Sequence, residues 1–410
     1  MASSRPEFIR GCYRHQKTYR QNRIGTTNRI IKKHITTYRI AMKRIVIKIG
    51  SSTITRGSGP PDASYIADLA AQVAEQIRLG RSVVIVTSGA IAAGMDRLGL
   101  SGRPRTIPQK QAAAAIGQSI LMHAYAHAFE PHGLTVAQVL LTRDDLRDRG
   151  RYVNASNTLN ALLHEGAVPV INENDTIAVD EIKVGDNDTL AALVGTLADA
   201  DAVLLLSDVD GLYTANPAQD PDARLIPVVD RIDRNIERLA GGAGSSVGTG
   251  GMRTKIQAAR ICARSGIALV IASGARPNVV ADALAGRCGT WFTASVDRPL
   301  RSRKRWIAFG SAPRGRLVVN EGARAQLIRG GKSLLPAGVV AVEGEFDCGD
   351  IVDIAGPDGA PFAQGLVSYD SAAIDRIRGR RSTEIARILG EKTADEVVHR
   401  DNLVLVRPGE

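Results

Sequence analysis

Two lysines occupy positions where a purely structural chain would gain little from them. Lys48 interrupts the end of an apolar run, Ile45-Val46-Ile47-Lys48-Ile49, and is followed by Gly50-Ser51-Ser52. Lys255 follows Gly248-Thr249-Gly250-Gly251-Met252-Arg253-Thr254, a glycine-rich stretch that runs into a helical pattern. A cation in the first turn of a helix opposes the positive end of the helix dipole, so an anionic ligand is expected to compensate it. An ammonium group beside glycines, whose backbone N–H groups can be approached closely, is an arrangement suited to phosphate.

A second set of residues suits a small zwitterion. Val86-Thr87-Ser88-Gly89 ends an apolar run just before a helix, which places the Ser88 hydroxyl and a helix N-terminus where a carboxylate can be met. Asn172-Glu173-Asn174-Asp175 follows another buried run, with Asn172 able to bond a carboxylate and Asp175 an α-ammonium. Asp186, Asn187 and Asp188 crowd the start of the next helix. N-capping accounts for one of the three and leaves two unexplained. Asp188 is suited to orient lysines, and Asn187 to bind an amino-acid substrate. Ser207-Asp208-Val209-Asp210-Gly211 closes a further apolar run.

Known phosphate loops do not account for these segments. Gly330-Gly331-Lys332-Ser333 lacks the first glycine of a P-loop, since position 326 is Gln326, and no G-x-G-x-x-G follows the first strand. The cysteines Cys12, Cys262, Cys288 and Cys348 form no C-x-x-C pair, and a reduced cytosolic protein is the simpler reading. His123 and His127 stand one helical turn apart without a third ligand and are read as surface residues.

The elements that must position these groups alternate. Strands are predicted at 44–49, 82–87, 134–140, 167–171, 202–207 and 268–272, and helices at 62–79, 107–129, 151–164, 187–199 and 252–265. Apolar runs alternating with helices predict an α/β fold, a mostly parallel open sheet sandwiched by helices. Such sheets bind ligands at the carboxyl ends of their strands, where every segment above falls. Aromatics make up only 4% of the chain, so the core must be largely Ala, Val, Ile and Leu. From residue 314 to 395 the pattern becomes short strands punctuated by Gly344, Gly349, Gly356 and Gly359, a small β-rich barrel. Residues 301–313 read as a linker and 396–410 as a tail.

The formal charge is +11, yet residues 1–41 alone hold ten Lys/Arg against the single acid Glu7. The remaining chain is nearly neutral, which removes most support for nucleic-acid binding across the whole protein. The basic segment suits a transit peptide, a nucleic-acid-binding arm, or a start-site artefact ahead of Met42. The last reading is favoured, because Met42-Lys43-Arg44 leads straight into the first strand. No apolar run is long enough for a membrane helix.

Taken together, IKIGSS, VTSGAIAAG, AIGQ ending at Gln118, LLTR at 140–143, VPVINEND, EIKVGDND, LLSDVDGLYTANP and GTGGMRTK resemble the amino-acid kinase family, and within it the glutamate 5-kinases. The stretches occur in order across about residues 44 to 310, which here become a kinase domain at 42–300. The segment 314–395 resembles a PUA domain. The resemblance implies that Lys48 and Lys255 stabilise a transferring phosphoryl group and that Asp188 holds them. It implies that Ser88, Asp175 and Asn187, with Asn172 nearby, bind L-glutamate. Lys48, Ser207, Asp208, Thr249, Gly250, Gly251, Met252, Arg253, Thr254 and Lys255 would bind ATP, with Mg²⁺ carried on its phosphates rather than by a protein carboxylate cage. It further implies a cytoplasmic enzyme of proline biosynthesis, inhibited by proline, working as a homo-oligomer (dimer or tetramer). Hand-off of product to glutamyl phosphate reductase and RNA binding through the PUA-like domain belong to the same set of expectations.

Kinases of aspartate, N-acetylglutamate or nucleoside monophosphates are the neighbouring alternatives. Asp175 with Asn187 favours a substrate with a free α-ammonium, which N-acetylglutamate lacks. An RNA-binding protein is the alternative of a different class, and a salt-dependent RNA affinity would distinguish it.

Overall fold

The computed structural model describes residues 42–55, 60–100, 102, 104, 106–177, 187–240, 251–294, 307 and 313–406. The basic segment 1–41, nearly all of the linker, Lys183 to Asp186, Thr249 and Gly250 lie outside the described residues.

Strand residues alternate between two cores. In β1 (Arg44–Ile49), Ile45, Ile47 and Ile49 pack on one side of the sheet and Val46 on the other. In β5 (Ala202–Ser207), Ala202, Leu204 and Leu206 share the first side, and Val203 and Leu205 the second. The period of two in a strand produces this split, and burial on both faces is why these runs are apolar throughout. β2 (Ser82–Val86), β3 (Val136–Leu141), β4 (Val168–Glu173), β6 (Val228–Val229), β7 (Ala268–Ser273) and β8 (Thr290–Phe292) complete the sheet, in the order β3-β4-β2-β1-β5-β7-β8-β6. Every pairing is parallel except β7 with β8. The mostly parallel sheet expected from the sequence is therefore present, with two reversed strands, β8 and β6, at one edge.

Helices cover both faces. On the Ile45 side lie α1 (Ala63–Arg78) and α3 (Ile107–Phe129), and α2 (Ala90–Arg97) packs on α3. On the Val46 side lie α4 (Arg149–His164), α5 (Asn187–Leu197) and α6 (Met252–Arg264). Their starts follow from capping: Asp62 accepts from the N–H of Ser64 and Tyr65, Thr106 from that of Gln109 ahead of Pro108, and Asp148 from that of Arg151.

A second, five-stranded sheet is built from β9 (Gly315–Val319), β10 (Val339–Glu343), β11 (Ile351–Ala355), β12 (Pro361–Leu366) and β13 (Leu403–Leu405), ordered β10-β9-β11-β12-β13. β13 pairs antiparallel with β12, and Val397 and Val398 are fully buried in this sheet's core. The unit thus runs past residue 395 into the stretch read as a tail, because a three-residue edge strand is too short to leave a periodic signal. Ile351, Leu366 and Val404 also join the core on the Val46 side of the first sheet. Among the described residues, no helix is long and apolar enough to cross a membrane.

Candidate active site

β1 lies in the middle of the sheet and carries Lys48 toward its carboxyl end, paired with Val86 of β2 and Leu205 of β5. Lys48 Nζ is 2.5 Å from Asp188 Oδ1, and Lys255 Nζ is 3.0 Å from Asp188 Oδ2. Thr254 Oγ1 lies 3.1 Å from the same Oδ2 and 2.7 Å from the Gly251 carbonyl, and shares its one proton between them. The three charged residues come from β1, from the first turn of α5 and from the first turn of α6, and are 5%, 0% and 3% exposed respectively. One carboxylate between two ammoniums leaves these three groups with a single positive charge. A buried cluster with that imbalance suits an incoming anion. The Lys255 position that looked costly in the sequence thus has a carboxylate of this chain as part of its compensation.

Burial would raise the Asp188 carboxyl, but Lys48 and Lys255 outweigh it and hold the group down at about 2. A depressed carboxyl contributes stability that is complete above its ordinary value and is lost as pH falls through the folded one. Asp188→Asn should therefore be destabilised relative to wild type by a gap that is constant above about pH 4 and narrows by about 2 kcal/mol toward pH 2. Thermal midpoints at pH 7, 4 and 3 check this; a gap that narrows between pH 7 and 5 would contradict it.

A second cluster adjoins the first, since Asn187 and Asp188 are consecutive. Asn187 Nδ2 donates to the Thr87 carbonyl at 2.7 Å, to Ser88 Oγ at 2.6 Å and, more weakly, to Asn172 Oδ1 at 3.4 Å. With its N–H groups spent on protein acceptors, what Asn187 offers a ligand is its carbonyl oxygen. Ser88 Oγ accepts from Asn187, so its own proton is available to donate. The polarity of the pair is thereby fixed as an acceptor for an ammonium beside a donor for a carboxylate. Ser88 is held by the turn that follows β2: Gly89 has φ +97°, a left-handed conformation that L side chains rarely adopt, and an added Cβ would lie 2.9 Å from Ile54 Cγ2.

Asn172 and Glu173 prove to be strand residues rather than loop residues. β3 and β4 pair through Leu140 with Asn172 and Leu141 with Glu173, so the ladder continues two residues beyond the apolar run. Asn172 is accordingly sheltered, and its Nδ2 donates to Gln118 Oε1 at 2.9 Å. Asp175 is part-buried in the turn after β4, where the Asn174 N–H bonds to the Leu141 carbonyl. Ser207 Oγ donates to Asp208 Oδ1 at 2.8 Å at the end of β5, the strand beside Lys48. Gly251 caps α6, Met252 packs against the core, and Arg253 is exposed. Lys48, Asp188, Lys255 and Thr254 thus form one cluster, and Ser88, Asn187 and Asn172 another. Asp175 lies in the turn after β4, and Ser207 and Asp208 at the end of β5.

Sequence reading passed over Thr87, Tyr125 and the role of Gln118. Thr87 Oγ1 and the Tyr125 hydroxyl are 2.9 Å apart beneath Ser88. The available signal was Gln118 itself, an amide on the α3 stripe Ala114, Leu121, Tyr125 and Phe129 that is otherwise buried and largely apolar. His123 and His127 are exposed, as expected of surface residues, and Cys262, Cys288 and Cys348 are free.

Comparison with known proteins agrees with this architecture. Residues 43–273 match the amino acid kinase family and residues 315–389 the PUA domain. The chain is 56% identical over 366 residues to the glutamate 5-kinase of Geobacter sulfurreducens, covering 89% of this chain and 98% of that one. It is 53% identical over 365 residues to the glutamate 5-kinase of Moorella thermoacetica, with 89% and 96% covered. The glutamate 5-kinase of Pelobacter propionicus is 51% identical over 366 residues, with 89% and 98% covered.

Proposed function

The chain belongs to the amino acid kinase family, and from that premise we propose that it transfers the γ-phosphoryl group of ATP to the side-chain carboxylate of L-glutamate, giving L-glutamyl 5-phosphate. The observation that carries the reading is the adjacency of two clusters. One is a buried Lys48–Asp188–Lys255 group with a net positive charge, and the other is an Asn187–Ser88 pair polarised for a zwitterion. The names of the relatives, at 51–56% identity over most of their length, point to the same substrate.

In this reading an oxygen of the glutamate γ-carboxylate attacks the γ-phosphorus while the bond to the β–γ bridging oxygen breaks and ADP leaves. The carboxylate is already a nucleophile at neutral pH, so no general base is needed. Catalysis reduces to alignment and to neutralising charge on the phosphoryl oxygens. Lys48 and Lys255 present fixed ammoniums to that charge, and Asp188 holds both in place. Ser88, Asn187 and Asp175, with Asn172 behind them, seat the glutamate. Ser207, Asp208 and the stretch from Thr249 to Lys255 hold ATP. Both Asp188 oxygens are already bonded to protein donors, so Mg²⁺ is assigned to the phosphate oxygens of ATP, where it neutralises charge. Proline inhibition at or near the glutamate site, a homo-oligomeric assembly and delivery of the labile acyl phosphate to a reductase complete the proposal.

Hydroxylamine trapping tests it. With ATP and Mg²⁺, hydroxamate should form from glutamate and not from aspartate or N-acetylglutamate, and proline should suppress it. Hydroxamate from another acid would move the substrate assignment, and none from any acid would remove the reading.

A further inference from the structure

Gln118 is the polar exception on the buried stripe of α3. It is 8% exposed, and its two amide atoms have different fates. Oε1 accepts from Asn172 Nδ2 at 2.9 Å, whereas Nε2 is buried with no acceptor among the described residues. A position selected only for packing would hold Leu or Met and leave no orphaned donor.

The orphan follows from a chain of forced orientations. The backbone N–H of Glu173 can only donate, and it donates to Asn172 Oδ1 at 2.9 Å. That contact fixes the oxygen side of the Asn172 amide, where Asn187 Nδ2 also arrives at 3.4 Å. The nitrogen side of Asn172 must then face Gln118, which must answer with its oxygen. Reversing Gln118 would set two N–H groups against each other. Its Nε2 is therefore turned toward the apolar interior.

We infer that Gln118 is a positioning residue for the amino-acid substrate: it locks the Asn172 amide, which in turn supports the Asn187–Ser88 pair. The inference rests on the glutamate-kinase reading above. Gln118 has no part in phosphate binding, and its Nε2 is closed off from solvent, so its effect reaches the substrate only through Asn172.

The test is Gln118→Met, which keeps the length and apolar bulk but removes the acceptor, in the full-length enzyme. The KM for glutamate should rise about tenfold, with the KM for ATP within about twofold of wild type and the thermal midpoint not lowered. Combining Gln118→Met with Asn172→Ala should raise the glutamate KM no further than Asn172→Ala alone, since coupled residues are not additive. A glutamate KM unchanged in a folded Gln118→Met enzyme would overturn the inference, as would additive effects in the double variant. Should Gln118→Met fail to fold, Gln118→Glu, which retains an acceptor oxygen at the same reach, is expected to keep the glutamate KM near wild type. A glutamate KM raised about tenfold there would also overturn it. Wild-type hydroxamate from glutamate with a silent Gln118→Met sinks this inference alone; no wild-type hydroxamate sinks the substrate reading and this inference with it.

Discussion

Lys255→Ala lowers kcat by about a thousandfold while the protein stays folded, because a preorganised charge aimed at a developing anion is worth roughly 10²–10³ in rate. The structure explains why the fold should survive. Removing Lys255 does not orphan Asp188, which keeps Lys48 at 2.5 Å and Thr254 at 3.1 Å. Deleting one partner of a buried pair is most costly when the other is left alone, and here it is not. If Lys255 acts mainly on the transition state, kcat and kcat/KM should fall together, with the KM values for glutamate and ATP changed little. A KM effect without a kcat effect would make Lys255 a ground-state binding residue. Lys255→Arg should not restore the rate, since a planar guanidinium cannot take the place of a compact ammonium packed against Asp188. Hydroxamate formation at saturating substrates, with circular dichroism as the fold control, measures all of this. A folded Lys255→Ala enzyme within threefold of wild type would remove the assigned role.

Much of this arrangement is legible in the sequence. The central strands were legible because burial on both faces forces uninterrupted apolar runs: 44–49 and 202–207 were read with the bounds they have in the sheet. The helix at 107–129 was likewise read to its ends, since Thr106, Pro108 and Gly133 punctuate it. Short elements were missed. β6 has two residues and β8 three, and both owe their conformation to neighbours in the ladder rather than to their own pattern. In the site, Lys48, Lys255 and Asp188 stood out because each contradicts local expectation. Their convergence on one carboxylate did not, since Lys48 and Lys255 lie 140 and 67 positions from Asp188 and meet it only through the topology of the sheet. The extension of β4 through Asn172 and Glu173 was hidden because polar side chains at a strand end look like the start of a loop. Only the pairing partner Leu140–Leu141 reveals otherwise.

Gly117→Ala is expected to be among the most damaging single-methyl changes in the kinase unit. α2 and α3 cross with their backbones in contact: a Cβ at Gly117 would lie 1.7 Å from the Ala90 carbonyl oxygen and 2.5 Å from Gly94 N. The reciprocal position is as tight, with a Gly94 Cβ 1.8 Å from the Ala113 carbonyl oxygen. Neither obstacle is the end of a flexible side chain, so the helices must separate. Overpacking of this kind costs about 3 kcal/mol. The consequence reaches the site from both helices. α2 begins one residue after Gly89, in the turn that holds Ser88, and α3 carries Gln118 directly after Gly117. A displacement of α2 by a fraction of the missing space shifts the Ser88 hydroxyl from Asn187, and misplacements of about 1 Å can cost on the order of 10²-fold in rate. Gly117→Ala should therefore show a lowered thermal midpoint together with a glutamate KM raised about tenfold or more, while ATP affinity, which the proposed site places on β5 and α6, changes much less. Gly102→Ala, where an added Cβ meets nothing within 4 Å, is the matched control and should leave both properties at wild-type values. Equal thermal midpoints for the two variants would mean that the helices yield without strain. A destabilised Gly117→Ala enzyme with normal glutamate KM would show that the α2–α3 crossing supports the fold but does not set the position of Ser88.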